Sequence, residues 1–341
     1  MTELTGMTPA ELTEWAKEHG LPAFRGRQLF QWIHRGADFE EMTNLPAALR
    51  ERLKESAVAQ PVRILEEKRS SLDDTVKFLL GMRDDNCVEA VLMHYHYGWS
   101  LCISTQVGCR MGCTFCASTI GGRERNLTAA EMLEQVYRIC EDTGERVSNV
   151  VIMGTGEPMD NLENVERFLE LISSDKGMNI SRRNITVSSC GLVEKIRAFA
   201  DREPEATLAI SLHAPTDELR KKIMPIANKY SVAEVIAAAD YYFEKTGIHK
   251  DLARKLHNCL VEGSVRGNSM PKEKYNPDDF NYEEYDALDM VSIRSYYMKC
   301  QNQNVEEDYE GRKAFEYKHW DFYTEDPAFN ELFARFKDKL T

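Results

Sequence analysis

No run of about 18 apolar residues occurs in this 341-residue chain, so a membrane-spanning helix is not expected. The N-terminal stretch MTELTGMTPAELTEWAKEHG is charged and lacks the apolar centre of a secretory signal. A cytoplasmic protein with no membrane partner is the expectation. Basic residues are not in excess either: 43 Lys plus Arg stand against 56 Asp plus Glu, a net charge of −13. That disfavours a surface coated in cations for duplex binding. It leaves room for a local basic patch such as Phe24–Arg35, where Arg25, Arg27 and Arg35 occur without an acid. Internal repeats and low-complexity tracts are absent. With 43% hydrophobic residues the chain is too apolar to be disordered, and its length allows one large domain plus a small one.

Residues 1–60 read as a small helical unit. Leu12, Trp15 and Ala16 keep helical spacing, as do Leu29, Phe30, Ile33 and His34, and a short helix follows Leu45-Pro46. Strand-like stretches come next at Val76–Leu80, Val88–His94 and Ser100–Thr105, the last after a turn at Tyr97-Gly98. From residue 100 to 247 apolar strands alternate with capped helices. Thr128 with Glu131 makes a capping box, and Gly144 is a stop for that helix. Strands are expected at Asn149–Met153, Ile185–Ser189 and Thr207–Leu212, and a helix at Leu162–Ile172. A second capping box, Ser231 with Glu234, opens a helix that ends near Gly247. This alternation implies parallel βαβ units in an α/β fold with right-handed connections. Functional loops then belong at the carboxyl ends of the strands. Near residue 248 the rhythm stops. Aromatic and acidic residues crowd the rest of the chain, and Pro327–Leu340 reads as an amphipathic helix.

Three of the nine cysteines fall in one loop, Cys109-Arg-Met-Gly-Cys113-Thr-Phe-Cys116, just after a strand. An odd total and a cluster this tight point to metal before disulfides. A structural zinc site takes four ligands, usually as two separated pairs, and could recruit Cys102, Cys140 or Cys190. Three thiolates close in sequence suit an iron–sulfur cubane with one iron left open for substrate. Downstream, Gly154-Thr-Gly156-Glu157-Pro follows a strand, where glycines permit close approach and a carboxylate can accept from an ammonium. Thr186-Val-Ser188-Ser and Ser211-Leu212-His213-Ala-Pro also sit at strand ends.

The C-x3-C-x2-C spacing with Phe115 before the last cysteine resembles the signature of radical S-adenosylmethionine (SAM) enzymes. In these the open iron chelates SAM, and one electron cleaves it to a 5′-deoxyadenosyl radical. Leu101–Cys109, Cys116-Ala-Ser-Thr, Arg125-Asn-Leu127, Asn149–Asn161 and Ala209–Ile226 are closely similar to the RNA methyltransferases that methylate C2 of adenine. LPAFRGRQLFQWIH and FEEMTNLPAALRERL are similar to that family's small RNA-contacting domain. The resemblance covers roughly residues 10–247 and implies a partial (βα) radical-SAM barrel. It divides the chain into an N-terminal helical domain (1–60), a core (61–247) and an irregular C-terminal region (248–341) that does not match.

The resemblance further implies a 4Fe-4S cluster on Cys109, Cys113 and Cys116, and SAM contacts from Gly156, Glu157, Ser188, Ser211, Leu212 and His213. Glu89 corresponds to the proton acceptor, and Cys102 to a thiol present in some members. The implied partners are large-subunit rRNA and tRNA, with flavodoxin or ferredoxin as electron donor and the protein a monomer. The family's methyl-carrying cysteine motif has no counterpart here, and Cys259 and Cys300 are the candidates to replace it. Other readings stay open: a C8-methylating relative, an RNA-binding protein that binds SAM and a cluster but is inactive in methyl transfer because that cysteine motif is missing, and an RNA-binding protein whose cluster or zinc is purely structural.

Overall fold

The computed structural model describes residues 2–247 apart from Leu72, Glu203 and Pro215. Expectations for residues 248–341, including Cys259, Cys300 and the helix at 327–340, lie outside the described residues. Two compact units emerge. One holds residues 1–188 and 204–207; the described residues 189–202 and 208–247 belong to the other.

The first unit opens with β1 (Thr2–Glu3), which pairs in parallel with β2 (Ala57–Val58). Between them lie α1 (Pro9–Glu18), α2 (Phe24–Ile33) and α3 (Ala47–Ser56). A capping box of Thr8 and Glu11 starts α1, with Pro9 in its first turn, where a missing N–H costs nothing. Leu12, Trp15 and Ala16 are buried on α1, and Leu29, Phe30 and Ile33 on α2, which bears out their helical spacing. Gly26 lies inside α2, where glycine is unfavourable by about 1 kcal/mol. Its reason is contact: a Cβ there would meet the backbone N and Cα of Thr13 at 2.5 Å.

The central sheet of this unit runs in the order β10-β9-β6-β5-β4-β3. Its strands are β3 (Arg63–Arg69), β4 (Val76–Gly81), β5 (Cys87–Tyr95), β6 (Gly98–Cys102), β9 (Val147–Ile152) and β10 (Ile185–Ser189). The strands β6, β9 and β10 are mutually parallel, and β3, β4 and β5 extend them as an antiparallel meander. Periodicity gives no sign of β3, Arg-Ile-Leu-Glu-Glu-Lys-Arg. It is an almost wholly exposed edge strand whose charges discourage pairing with another chain. A hairpin of β7 (Gln106–Gly108) and β8 (Arg123–Asn126) branches off after β6. The segment expected as one strand, 100–105, is therefore divided: β6 ends at Cys102, Ile103 N still donates to the Val151 carbonyl of β9, and the Ile103 carbonyl and Thr105 N bond to Gly154 and Thr155 in the loop after β9.

Helix α4 (Ala129–Thr143) starts at the expected Thr128–Glu131 capping box and ends at a left-handed Gly144. Every residue from Ala129 to Ile139 is buried. Helix α5 (Leu162–Ile172) follows β9 and packs on α4. A buried polar network joins α2 to α4. His34 Nδ1 lies 2.6 Å from the Tyr137 hydroxyl, and the Arg138 guanidinium donates to the Gly36 carbonyl. Burial holds His34 neutral, its pKa lowered to about 3. It also pushes Glu134 up to about 8, an effect that the ion pair with Arg138 opposes.

The second unit carries α6 (Val193–Asp201), β11 (Thr207–Ile210), α7 (Asp217–Ile223) and α8 (Val232–Thr246). Helix α8 begins at the Ser231–Glu234 capping box and packs on α6, with Phe199 stacked on Tyr242. The strand expected at 207–212 stops at Ile210, because Leu212 and Ala214 enter a tight turn.

Gly26→Ala weighs a helix-propensity gain of about 1 kcal/mol against insertion into immovable backbone, which costs about 1–3 kcal/mol. The steric effect wins, and the melting temperature should fall by several degrees in a thermal unfolding experiment. An unchanged or raised midpoint would show that α1 and α2 do not approach this closely.

Candidate active site

The sheet of the first unit has two chemically different faces. Registers Leu92↔Leu101↔Val150↔Ile185 set one row, and these residues lie on a side buried throughout. Registers Val91↔Cys102↔Val151↔Thr186 set the opposite row. Side chains two positions along a strand share a face. Glu89 and Ser188 therefore lie on the second face with Cys102. Glu89 is level with the carboxyl end of β6, since its carbonyl accepts from Ser104 Oγ at 2.7 Å. Its carboxylate is half-exposed and pairs with Lys77 Nζ at 2.7 Å. The Cys102 thiol is pushed up to about 11 by burial, partly offset by the Met153 backbone N–H, so it is a thiol and not a thiolate at neutral pH.

At the carboxyl ends of β6 and β9 two segments are stitched together. The N–H groups of Thr105 and Gln106 both donate to the Thr155 carbonyl, at 2.9 and 3.2 Å. In return Gly154 N donates to the Ile103 carbonyl at 3.0 Å and Thr155 N to Ser104 Oγ at 2.8 Å. The Glu157 N–H donates to Gln106 Oε1 at 2.9 Å. Asn161 closes the far end by donating to the carbonyls of Thr105 and Leu127, at 2.9 and 2.8 Å. Behind the seam, Gln135 on α4 takes the place of a missing strand neighbour. Its side-chain amide accepts from Ser104 N and donates to Ser104 O, both at 2.9 Å.

Gly156 is what lets the two segments come so close. Its φ is +110°, and a Cβ would lie 2.7 Å from Gln106 Cβ and 2.8 Å from Thr105 Oγ1. The close approach of the Gly-Thr-Gly-Glu-Pro loop is thus to its own chain. Glu157 is buried, and one of its oxygens accepts from Met159 N at 3.1 Å. Thr105 Oγ1 is buried with no hydrogen-bond partner among the described residues. The Ser188 hydroxyl donates to the Ile152 carbonyl at 2.9 Å, which leaves its oxygen as an acceptor at the strand end.

The cysteine loop springs from the β7–β8 hairpin, whose neck is shut by Cys109 N donating to the Gly122 carbonyl at 3.0 Å. Cys109 and Cys113 are buried and Cys116 half-buried, and no disulfide engages any of them. Thr119 Oγ1 donates to the carbonyls of Cys116 and Cys113, at 2.9 and 3.3 Å, curling the loop on itself. Burial raises the Cys109 thiol, the Met111 backbone N–H opposes this, and the nearby Glu157 and Asp160 add to it. Among the described residues no three His, Cys, Asp or Glu side chains converge on a single ion. A cubane asks for something else, since each of its cysteines binds a different iron, and three reduced thiols on one hairpin-closed loop fit that demand. The orphaned Thr105 hydroxyl and the Ser188 hydroxyl oxygen are polar groups of the kind that a ligand such as SAM could engage at these strand ends.

In the second unit Ser211, Leu212 and His213 form the turn after β11. Ser211 N donates to the Ser189 carbonyl at 2.8 Å. His213 has φ +59°, a strained conformation for a residue with a side chain. The fully buried Arg220 holds the turn by donating to the carbonyls of Leu212, at 3.2 Å, and Cys190.

Sequence periodicity misses Gln106, Asn161 and Gln135, which build the seam, and Asp160, whose carboxylate accepts from Gln106 and Arg123. Their signal is faint: a polar Ser-Thr-Gln run in the middle of a sheet, and an Asp-Asn pair directly after Gly-Glu-Pro-Met.

Comparison with known proteins agrees with this geometry. A profile described as the Radical SAM superfamily matches residues 103–251. A second, the ribosomal RNA large subunit methyltransferase N-terminal domain, matches residues 2–59. A protein of Lachnospira eligens named "Probable dual-specificity RNA methyltransferase RlmN" is 54% identical over 252 residues, 72% of this chain and 71% of that one. A protein of Clostridium perfringens with the same name is 53% identical over 249 residues, 72% of each chain. A crystal structure of a radical SAM methyltransferase from Sphaerobacter thermophilus superposes with a TM-score of 0.69 at 39% identity, over 72% of this chain and 74% of that one. With an α/β core whose cysteine loop stands at the strand ends, and relatives this close over this length, the chain belongs to the radical SAM dual-specificity RNA methyltransferase family.

Proposed function

We propose that this protein uses a 4Fe-4S cluster and SAM to methylate C2 of adenosine in large-subunit rRNA and in tRNA. The observation that carries the proposal is the seam joining the cysteine loop to the Gly-Thr-Gly-Glu-Pro loop, in a chain that over 72% of its length is more than half identical to proteins named as probable dual-specificity RNA methyltransferases. Cys109, Cys113 and Cys116 hold the cluster, and Gly156, Glu157 and Ser188 contact SAM. The same SAM-contacting role for Ser211, Leu212 and His213 rests on resemblance, supported by the strain at His213. When bound, these cofactors supply the carbon radical and the methyl group that an electron-poor amidine carbon requires.

Glu89 is the base that takes the C2 proton. Lys77 holds its carboxylate in an exposed ion pair, and that exposure leaves it accessible to a base swung out of RNA. Residues 1–60 make the RNA-contacting domain, residues 61–247 the core, and 248–341 the C-terminal region whose sequence does not match the family. The methyl-carrying cysteine is sought at Cys259 or Cys300. A monomer in the cytoplasm reduced by flavodoxin or ferredoxin completes the proposal. No described helix is long and apolar enough to cross a membrane.

The test is an anaerobic reaction of the reconstituted, reduced protein with SAM and protein-free ribosomal RNA, read by mass spectrometry against nucleoside standards. 5′-Deoxyadenosine and 2-methyladenosine should both form. 8-Methyladenosine in place of the 2-isomer would overturn the regiochemistry, and 5′-deoxyadenosine alone would leave a radical core without methyl transfer. Glu89→Gln should keep 5′-deoxyadenosine formation while 2-methyladenosine drops by about a hundredfold or more, the usual weight of a general base; an unaltered yield would remove Glu89 from that role. Gly156→Ala adds a Cβ against Gln106 and Thr105. Strain of about 1–3 kcal/mol should weaken SAM binding about tenfold or more by calorimetry, normalised to iron content. Wild-type affinity would detach this loop from SAM.

A further inference from the structure

Asp160 lies three residues beyond Glu157, in the short turn Pro158–Asn161, and its side chain is only 6% exposed. One carboxylate gathers three donors from three parts of the cysteine hairpin. Arg110, which lies between Cys109 and Cys113, donates to Oδ1. Arg123, on the strand that closes the hairpin after Cys116, donates to Oδ2 at 2.9 Å. Gln106, on the strand that opens it, donates to Oδ2 at 3.2 Å and also to Asn126 Oδ1 at 2.8 Å. The turn that bears Asp160 is itself held, since its N–H donates to the Glu157 carbonyl at 3.0 Å.

We infer that Asp160 is a positioning residue for the cluster. It pins the opening limb, the first bend and the closing limb of the cysteine hairpin to the Gly-Thr-Gly-Glu-Pro loop. This rests on the proposed role of Cys109, Cys113 and Cys116 as ligands. Both arginines beside the carboxylate are cations on a loop that must carry thiolates. Asp160 therefore gives Arg110 and Arg123 a fixed address and keeps the three thiols arrayed before metal arrives. Charge-assisted hydrogen bonds of this kind are the strong ones, and a planar guanidinium adds direction as well as energy. Outer-sphere partners that orient metal ligands are commonly worth 10–100-fold in metal affinity.

The substitution Asp160→Asn keeps the shape, removes the charge, and turns an NH2 group toward donors. Two readouts separate the clamp from the cluster. In the metal-free protein, alkylation rates of individual cysteines are followed by mass spectrometry. Cys113 as well as Cys109 should react faster in the variant, while Cys140 and Cys190, which report the rest of the fold, keep their wild-type rates. In the reconstituted protein, a chelator should strip iron about tenfold faster, and the electron paramagnetic resonance signal of the reduced cluster with SAM should broaden. Arg110→Gln, on the exposed arm of the clamp, should move both readouts the same way by a smaller factor, and keeps the inference testable if Asp160→Asn does not fold. Wild-type alkylation rates in a folded variant would overturn the clamp. Faster alkylation with unchanged iron loss would overturn its role toward the cluster. A wild-type protein that takes up no iron would instead sink the cluster assignment, and the alkylation arm would still decide the clamp.

Discussion

Everything at the candidate site depends on how closely the chain after β6 can lie against the chain after β9. Two parallel strands end side by side, and their backbones continue to exchange hydrogen bonds after regular sheet has stopped. A buried backbone that leaves its sheet has to find partners for each N–H and carbonyl. Here Thr155, Ser104, Gln106, Asn161 and Gln135 supply them in turn. A side chain at residue 156 would force the segments apart by filling the space that Gln106 and Thr105 occupy. The cysteine hairpin begins at Gln106, so the same seam fixes where the thiols start.

The sheet supplies the rest by dividing its labour. One face is apolar and buried, and it gives the rigidity that a precise site needs. The other carries Glu89, Cys102 and Ser188 on one side of the sheet, close to the ends from which the loops depart. The antiparallel extension β3-β4-β5 brings Glu89 and its partner Lys77 to this face, although they lie far from the cysteines in sequence. Catalytic constellations at the carboxyl ends of parallel strands follow from this architecture, because the loops there converge while the strands stay fixed.

Much of this is legible in the amino-acid sequence. The two capping boxes, the left-handed glycine after α4, the buried faces of α1 and α2, and the alternation of strands with helices all follow from local rules, and local chemistry enforces them. The C-x3-C-x2-C loop and the Gly-Thr-Gly-Glu-Pro segment stand out because cysteine and glycine are rarely placed there without a reason. What escaped was non-local. Strand β3 is recognisable only by its neighbour, since its own residues are charged and exposed. The seam is built from Gln, Asn and Ser side chains whose partners lie roughly thirty to fifty residues away. The glycines are read correctly as marks of close approach, but the chain they approach is visible only once β6 and β9 are side by side.

The central claim is that three cysteines, and no fourth, hold a cubane whose remaining iron is open to SAM. Mössbauer and electron paramagnetic resonance spectra of the reconstituted protein, with and without SAM, test it most directly. The account predicts about four irons per chain, one of them spectroscopically distinct, and a change in that one iron when SAM is added. Spectra indifferent to SAM, or a bound metal that survives replacement of Cys109, Cys113 and Cys116 by alanine, would contradict it.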